Sequence, residues 1–316
     1  MIQLTREKEG LRMIPKAKKL KREIFQNRIF YVMLIPGIVL TFIFSYMPMY
    51  GVVLAFKDYS IRAGILGSDW VGFENFRTLF DIPQFWVAFK NTIVINILKL
   101  IFAFPVPIVL AVMINSIQTP YIKRPIQTVL YLPHFVSWVI VAGILFSLLD
   151  EDGFIYRLLE LVGISNFDIL ADKGGFLAIL VLSDIWKESG WGAIIYLAAL
   201  TSISGEYYEA AKVDGASDIR MFFSITLPLL MPTVSIMLIL RVGGLVSGGF
   251  DQIYNLYNEQ VYDVADVLDT FSYRFGIGDG NFELGTAVGL FANIINIVLL
   301  IAANRITAIL GGEPLY

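Results

Sequence analysis

The sequence predicts an all-α polytopic membrane protein with six transmembrane helices. Hydrophobic residues make up 57% of the 316 residues and charged residues only 16%, against about 25% charged residues in an ordinary soluble domain. The mean hydropathy of +0.70 excludes both a soluble globular domain and a disordered chain. Six stretches reach the ~20 apolar residues that a membrane-crossing helix needs. They cover about residues 29–56, 89–117, 126–149, 174–203, 227–249 and 284–310.

The residue inventory excludes several functional classes. The chain contains no cysteine, so disulfides, thiolate metal sites and thiol chemistry are ruled out. A single histidine, His134, argues against a histidine metal site or a Ser-His-Asp triad. The net charge of −3 argues against nucleic-acid binding. We therefore expect no metal, no nucleic-acid partner and no enzymatic activity.

The first predicted span follows a basic segment, residues 1–28, with nine lysines and arginines. This segment is too long for the basic region of a cleavable signal peptide, and the apolar run after it is long enough to span. We therefore expect a cytoplasmic N-terminal tail over residues 1–28 and a transmembrane domain over residues 29–310. The tail either sets the membrane topology or lies on anionic lipid.

The loop charges predict the orientation of the spans, because lysine and arginine concentrate in cytoplasmic loops. The link between spans two and three carries Lys123 and Arg124, and the link between spans four and five carries Lys212 and Arg220. Residues 150–173 contain six acids and two bases, and residues 252–283 contain six acids and one base. The two short links and both termini are therefore predicted to be cytoplasmic.

The link between spans four and five, about residues 204–222, has the signals of a short helix and a turn. Ser204 can cap a helix that continues to Val213, and Glu206 in its first turn suits the helix dipole. Gly215 supplies the left-handed conformation that ends such a helix. The small side chains of Ala210 and Ala211 leave room for another protein, which predicts a docking surface.

A specific motif runs through this link. Glu209-Ala210-Ala211 is followed after three residues by Gly215, and after nine more by Ile225-Thr226-Leu227-Pro228. This pattern resembles the signature of inner-membrane permeases of binding-protein-dependent ABC importers, including both spacers. The flanking segments are similar to the sugar-type, maltose-permease-like branch for polysaccharides and complex oligosaccharides.

The resemblance implies a type I ABC importer permease fold in a bacterial inner membrane. It also implies three kinds of partner: a second homologous permease, two ATPase subunits that bind ATP and Mg, and an extracytoplasmic substrate-binding protein. The chain lacks a Gly-x-x-x-x-Gly-Lys-Ser/Thr loop, so no cofactor is expected in the chain itself. The residues that the resemblance assigns to ATPase coupling are Glu209, Ala210, Ala211, Asp214 and Gly215.

Ionisable side chains inside the predicted spans are the candidates for a substrate path, since such groups are costly in a membrane. Helical spacing places Asp184, Lys187, Glu188 and Trp191 on one face of span four. Carboxylates and indoles suit sugar hydroxyls and rings, but an internal Asp184–Lys187 ion pair would explain the same residues. The full candidate set is Asp184, Trp186, Lys187, Glu188, Trp191 and Arg241, with Arg241 either pairing with Asp184 or Glu188 or contacting an acidic sugar.

Other polar residues have structural interpretations. His134 follows Pro133 and is expected at a helix kink with a hydrogen-bonded imidazole, and Lys99 is expected to pair or to reach the membrane interface. The external loop, about residues 250–283, is acidic and aromatic and either faces the binding protein or packs on the helices. The alternative function is an ion-coupled secondary transporter, which would not require the Glu-Ala-Ala loop.

Overall fold

The computed structural model describes residues 25–150, 153–161, 168–309 and 312–315, and these residues are mostly helical. The chain divides into two units, Met1–Val53 and Leu54–Tyr316. The predicted tail of residues 1–28 lies outside the described residues except for its last four positions.

Helix α1 (Arg28–Thr41) lies in the first unit and continues through a π-helical turn, Phe42–Tyr46, into a 3-10 segment, Met47–Phe56, whose last three residues belong to the second unit. No residue of α1 is buried. The stretch Arg28–Phe56 is long and apolar enough to cross a membrane. A helix that is apolar on every side and unburied suits contact with lipid, where its backbone hydrogen bonds are satisfied internally.

The second unit begins with a small antiparallel strand pair, in which Lys57 faces Trp70 and Asp58 faces Asp69. Helices and short helical turns make up most of the described residues from there to Ile309. The elements in chain order are β1 (Lys57–Asp58), α2 (Gly64–Gly67), β2 (Asp69–Trp70), α3 (Glu74–Asp81), α4 (Pro83–Phe102), α5 (Pro105–Ser116), α6 (Pro120–Tyr131), a 3-10 turn (Leu132–Phe135), α7 (Trp138–Leu149), α8 (Phe154–Leu161), α9 (Lys173–Thr201), α10 (Gly205–Val213), α11 (Asp218–Met221), a π turn (Phe222–Thr226), α12 (Leu227–Gly243), α13 (Phe250–Leu256), a 3-10 turn (Glu259–Val261), α14 (Tyr262–Ala265), α15 (Leu268–Phe271), a π turn (Ser272–Gly278) and α16 (Phe282–Ile309).

Length and apolarity identify four membrane-crossing helices among the described residues: Arg28–Phe56, Pro83–Ser116, Asp218–Gly243 and Phe282–Ile309. The segment Pro120–Phe135 and the helix that begins at Trp138 meet at a bend of 100°, as in a broken span or a re-entrant loop. Helix α9 has 29 residues but carries three charged side chains in its middle. The polytopic helical fold is confirmed, and the count of six spans stays a prediction.

The fifth span differs from its predicted bounds of 227–249. Its helix begins at Asp218, runs through the π turn, and ends at Gly243. Gly248 and Gly249 then adopt left-handed backbone angles, with φ of 94° and 99°. The span has therefore ended before these glycines, and the left-handed Gly249 directly precedes α13.

The core of the second unit lies in three clusters between its long helices. Helix α9 packs along α5, and α12 packs along α16. One cluster surrounds Tyr196 between α5, α9 and α12, a second surrounds Phe176 and Ile253, and a third surrounds Phe85 and Phe271. The middle of α9 therefore lies between two apolar clusters, which hold its charged residues in place.

Gly190 sets how closely α9 approaches α6. A Cβ atom at this position would lie 1.9 Å from the carbonyl oxygen of Leu130. Only a glycine permits this separation, because the carbonyl group of Leu130 is part of the backbone of another helix and cannot rotate away. The contact brings the neighbouring residues of α9 beside the 3-10 turn that contains His134.

Candidate functional site

A cavity of about 640 Å³ lies between α4, α5, α9, α12 and α13. Its walls combine apolar and aromatic side chains with a few charged and amide groups, as expected for a ligand site. The charged residues of the wall are Lys99, Asp184, Glu188 and Arg241. Its main polar and aromatic partners are Asn96, Trp138, Ser189, Trp191, Tyr196, Ser247 and Gln252.

Helix α9 presents three of the four predicted residues of one face to this cavity: Asp184, Glu188 and Trp191. Lys187 is 6% exposed and does not line the cavity. Trp186 does not line it either, and 52% of its surface is exposed on another side of the helix. The predicted periodicity is therefore right for the cavity face, and Trp186 is separated from the other candidates.

The predicted Asp184–Lys187 ion pair is wrong. The carboxylate of Asp184 lies 3.0 Å from the ammonium of Lys99 on α4 and 3.8 Å from the guanidinium of Arg241 on α12. Lys187 instead contacts the neighbouring Glu188. Side chains from two other helices reach Asp184, so partners distant in the sequence replace the local pair.

Glu188 is the centre of a second polar group. It accepts from Lys187 at 2.9 Å, and its other oxygen lies 2.7 Å from Nδ1 of His134. Lys187 also donates to the carbonyl oxygen of His134 at 2.8 Å. The His134 imidazole stacks on the indole of Trp191, with ring centroids 4.6 Å apart and planes within 4°. His134 lies in the 3-10 turn before the bend, as expected for a hydrogen-bonded residue at a kink.

Lys99 has a hydrogen-bond partner that the sequence did not indicate. It is 4% exposed and donates a hydrogen bond to Oε1 of Gln252. The Gln252 amide donates to the carbonyl oxygen of Leu180 at 2.7 Å and to Ser183 Oγ at 2.9 Å. Gln252 stands at the start of a predicted external loop, and no local pattern marked it as part of a buried network.

The lining of the cavity suits an organic ligand that carries hydroxyl groups. It combines carboxylates and cations, which suit hydroxyl groups, with the indoles of Trp191 and Trp138, which suit the apolar faces of sugar rings. Charges in a membrane protein usually face such a cavity and are paired, as they are here. Among the described residues, no group of three or more histidines, aspartates and glutamates could hold a metal ion.

The predicted cytoplasmic helix is present as α10, Gly205–Val213, and none of its residues is buried. Ser204 caps its first turn by accepting from the amide of Glu206, and Gly215 has a φ of 73°. The amide of Ala216 donates to the carbonyl of Ala211 at 2.9 Å and closes the turn. The predicted caps and left-handed turn are therefore confirmed.

A hydrogen bond joins α10 to the membrane helix that follows it. The hydroxyl of Tyr208 lies 3.1 Å from Oγ1 of Thr226, which is 6% exposed at the end of the π turn. Thr226 is the variable position of the Ile-x-Leu-Pro segment. Tyr208 is therefore a direct link between α10 and span five.

The segment after α13, which the loop charges predict to be external, contains several short helices and a cluster of aromatic rings. Tyr254 contacts Tyr257 and Tyr273, with ring centroids 6.0 and 5.1 Å apart. Arg274 pairs with Asp266. Burial raises the pKa of Asp266, while the hydrogen bond from Thr270 and the charge of Arg274 act in the opposite direction.

Comparisons with known proteins agree with this geometry. Residues 103–311 match the family described as binding-protein-dependent transport system inner membrane component. The chain is 40% identical to the polygalacturonan/rhamnogalacturonan transport system permease protein YteP of Bacillus subtilis, over 95% of this chain and 94% of that protein. It is 42% identical to protein LplB of the same organism, over 90% of each chain.

Solved structures show the same architecture. A bacterial ABC transporter involved in the import of the acidic polysaccharide alginate superposes with a TM-score of 0.83 at 38% identity, over 92% of this chain and 98% of that chain. A second structure, the bacterial alginate ABC transporter in complex with alginate pentasaccharide-bound periplasmic protein, gives a TM-score of 0.82 over 92% of this chain and 97% of that chain.

Proposed function

Because the chain belongs to the family of binding-protein-dependent transport system inner membrane components, we propose that it forms half of the translocation path of an oligosaccharide ABC importer. It is a transport subunit and not an enzyme. One relative is named for polygalacturonan/rhamnogalacturonan transport and a similar structure for alginate import, which supports a carbohydrate substrate. The cavity beside α9 supports the same class, because its indoles and paired charges suit hydroxylated rings.

The observation that carries the coupling proposal is the unburied helix α10. An isolated helix shorter than about 12 residues is marginal in water, so α10 needs a partner surface. Ala210 and Ala211 leave space for that surface, and Glu209, Asp214 and Gly215 complete the motif around it. Tyr208 then passes movement of α10 to span five through Thr226. We assign α10 to the contact with an ATPase subunit.

The remaining partners follow from this assignment. A second homologous permease completes the path, two ATPase subunits bind ATP and Mg, and an extracytoplasmic binding protein delivers the substrate. The membrane is the bacterial inner membrane, with both termini cytoplasmic, as the loop charges predict. We assign the basic tail, residues 1–28, to the cytoplasmic side, and the transmembrane domain to residues 29–310.

Reconstitution in vesicles tests the proposal. The chain is combined with its second permease, ATPase and binding protein, and uptake of oligogalacturonate is measured with and without ATP. We expect uptake to require ATP on the side of the membrane where the ATPase subunits lie. Uptake should persist when ion gradients are collapsed. Uptake that follows an ion gradient and ignores ATP would instead support the ion-coupled secondary transporter.

A further inference from the structure

The charges around the cavity pair unequally. Lys99 and Asp184 lie 3.0 Å apart, and Lys187 and Glu188 lie 2.9 Å apart, so each of these pairs is internally neutral. Arg241 remains. Within the described residues its guanidinium has no hydrogen bond, and its ion pair with Asp184 spans 3.8 Å. Its side chain is 43% exposed and lines the cavity.

Lys99 has the closer contact with Asp184 because Gln252 holds it there. Gln252 is 1% exposed, and its amide is fixed at both ends: Oε1 accepts from Lys99, and Nε2 donates to Leu180 and Ser183. The glutamine therefore fixes the ammonium position relative to α9. Lys99 occupies one oxygen of Asp184 at hydrogen-bond distance, and Arg241 approaches the other oxygen only loosely.

We propose that Gln252 and Lys99 are positioning residues that occupy Asp184, so that Arg241 faces the cavity ready to bind a carboxylate of an acidic sugar unit. This inference rests on the proposed import of oligosaccharides. It names uronic-acid units as the substrate class. Arg241 is the specificity-determining residue, and Lys99 and Gln252 act through it.

The physical basis is competition for one cation. A guanidinium presents a planar set of donors that matches a carboxylate with two parallel hydrogen bonds. Arg241 will bind the nearest unneutralised carboxylate, because charges a few ångströms apart attract more strongly beside protein than in bulk water. With Lys99 in place, Asp184 is already neutralised and the carboxylate of the substrate is preferred. Without Lys99, Asp184 is the nearest carboxylate that is not neutralised, and it draws Arg241 away from the substrate.

Binding measurements on the assembled transporter in lipid nanodiscs, without the binding protein, test this arrangement. The probes are a galacturonic acid trisaccharide and its methyl ester, which share their rings and differ in charge. We expect the wild type to bind the acid form at least roughly tenfold more tightly than the ester, the change that one strong ionic contact supplies. R241Q should remove this preference, and R241K should keep part of it.

The positioning role is tested by a rescue experiment. K99M should reduce the preference for the acid form, because Asp184 then captures Arg241. The double variant K99M/D184N should restore the preference, because Asp184 no longer competes and Glu188 stays paired with Lys187. A merely structural role for Lys99 predicts no rescue. Q252L should act in the same direction as K99M while keeping every charge, and N255A on the same helix is the matched control without effect.

Two results would overturn the inference: equal binding of both probes by the wild type, or a preference that survives R241Q. Loss of preference in K99M without recovery in the assembled double variant would reject the role of Lys99. The proposed function fails differently, since then neither sugar would enter vesicles or stimulate ATP hydrolysis in the complete system. Equal import of both sugars would leave the importer in place and reject only the acidic substrate class.

Discussion

Single residues decide how closely the helices around the cavity approach one another and which charges face it. Gly190 lets α9 lie against the backbone of α6, and this approach brings Glu188 and Trp191 to His134. Asp184, four residues earlier, meets Lys99 and Arg241 from other helices. One helix face therefore carries two polar groups with different partners.

Gly190→Ala should destabilise the protein by about 1–3 kcal/mol, the usual effect of overpacking. The added methyl group would overlap the carbonyl oxygen of Leu130, so α9 and α6 must separate. The measurement is the thermal unfolding midpoint of the purified chain in detergent. Gly289→Ala is the matched control, because a Cβ atom there meets nothing within 4 Å. Equal midpoints for both variants would show that the contact with Leu130 relaxes without cost.

Glu188→Gln should lower uptake by about tenfold, corresponding to ~1.4 kcal/mol, with little loss of assembled complex. The amide keeps the size of the side chain but removes the charge that pairs with Lys187 and His134. The measurement is uptake per assembled transporter, and Glu74→Gln, at an exposed position on α3, is the control. If the main effect is a loss of assembled protein, Glu188 has a structural role only.

At the scale of elements, the order of the helices places the cavity and the proposed ATPase contact on different parts of the chain. Helix α9 carries the cavity residues in its middle and leads directly into α10 at its end. Helix α10 is tied to span five through Tyr208 and Thr226, and span five carries Arg241 near its other end. A single path of helices therefore joins the proposed ATPase contact to the cavity.

Gly215→Val should uncouple ATP hydrolysis from import or release the ATPase. A β-branched residue at a φ of 73° costs about 1–2 kcal/mol, and the turn behind α10 would rearrange. Ala211→Trp should have the same outcome by filling the space left for the ATPase. The measurements are a pull-down of the ATPase and substrate-stimulated hydrolysis in vesicles.

Gly215→Asn is the matched control for the glycine substitution, because asparagine tolerates the left-handed conformation. It should retain ATPase binding and most of the coupling. If Gly215→Val and Ala211→Trp both keep the ATPase and full stimulated turnover, α10 is not the coupling element.

At the scale of the whole molecule, the loop charges predict which ends of the helices face the cytoplasm. The basic links contain Lys123, Arg124, Lys212 and Arg220, and the acidic segments lie on the opposite side of the predicted spans. The proposed ATPase contact at α10 requires this orientation, since the ATPase subunits are cytoplasmic.

Reporter fusions test the orientation. A reporter after Ser116 or Ser217 should give a cytoplasmic signal, and one after Asp263 an external signal. A further external position, after Ile164, lies outside the described residues. An external signal at Ser217 would place α10 on the wrong side of the membrane and would end the coupling proposal.

The sequence by itself determined the membrane class, the apolar helices, the caps and turn of α10, and the periodicity that brings Asp184, Glu188 and Trp191 to one face. These features depend on local composition, on helical spacing or on a motif of about twenty residues, so they can be read from neighbouring positions. Only the tertiary structure decided the partners. The contacts from Asp184 to Lys99 and from Lys99 to Gln252 join positions 85 and 153 residues apart. Charged groups in a membrane take whichever partner the packing brings within reach, and that packing depends on all the helices together.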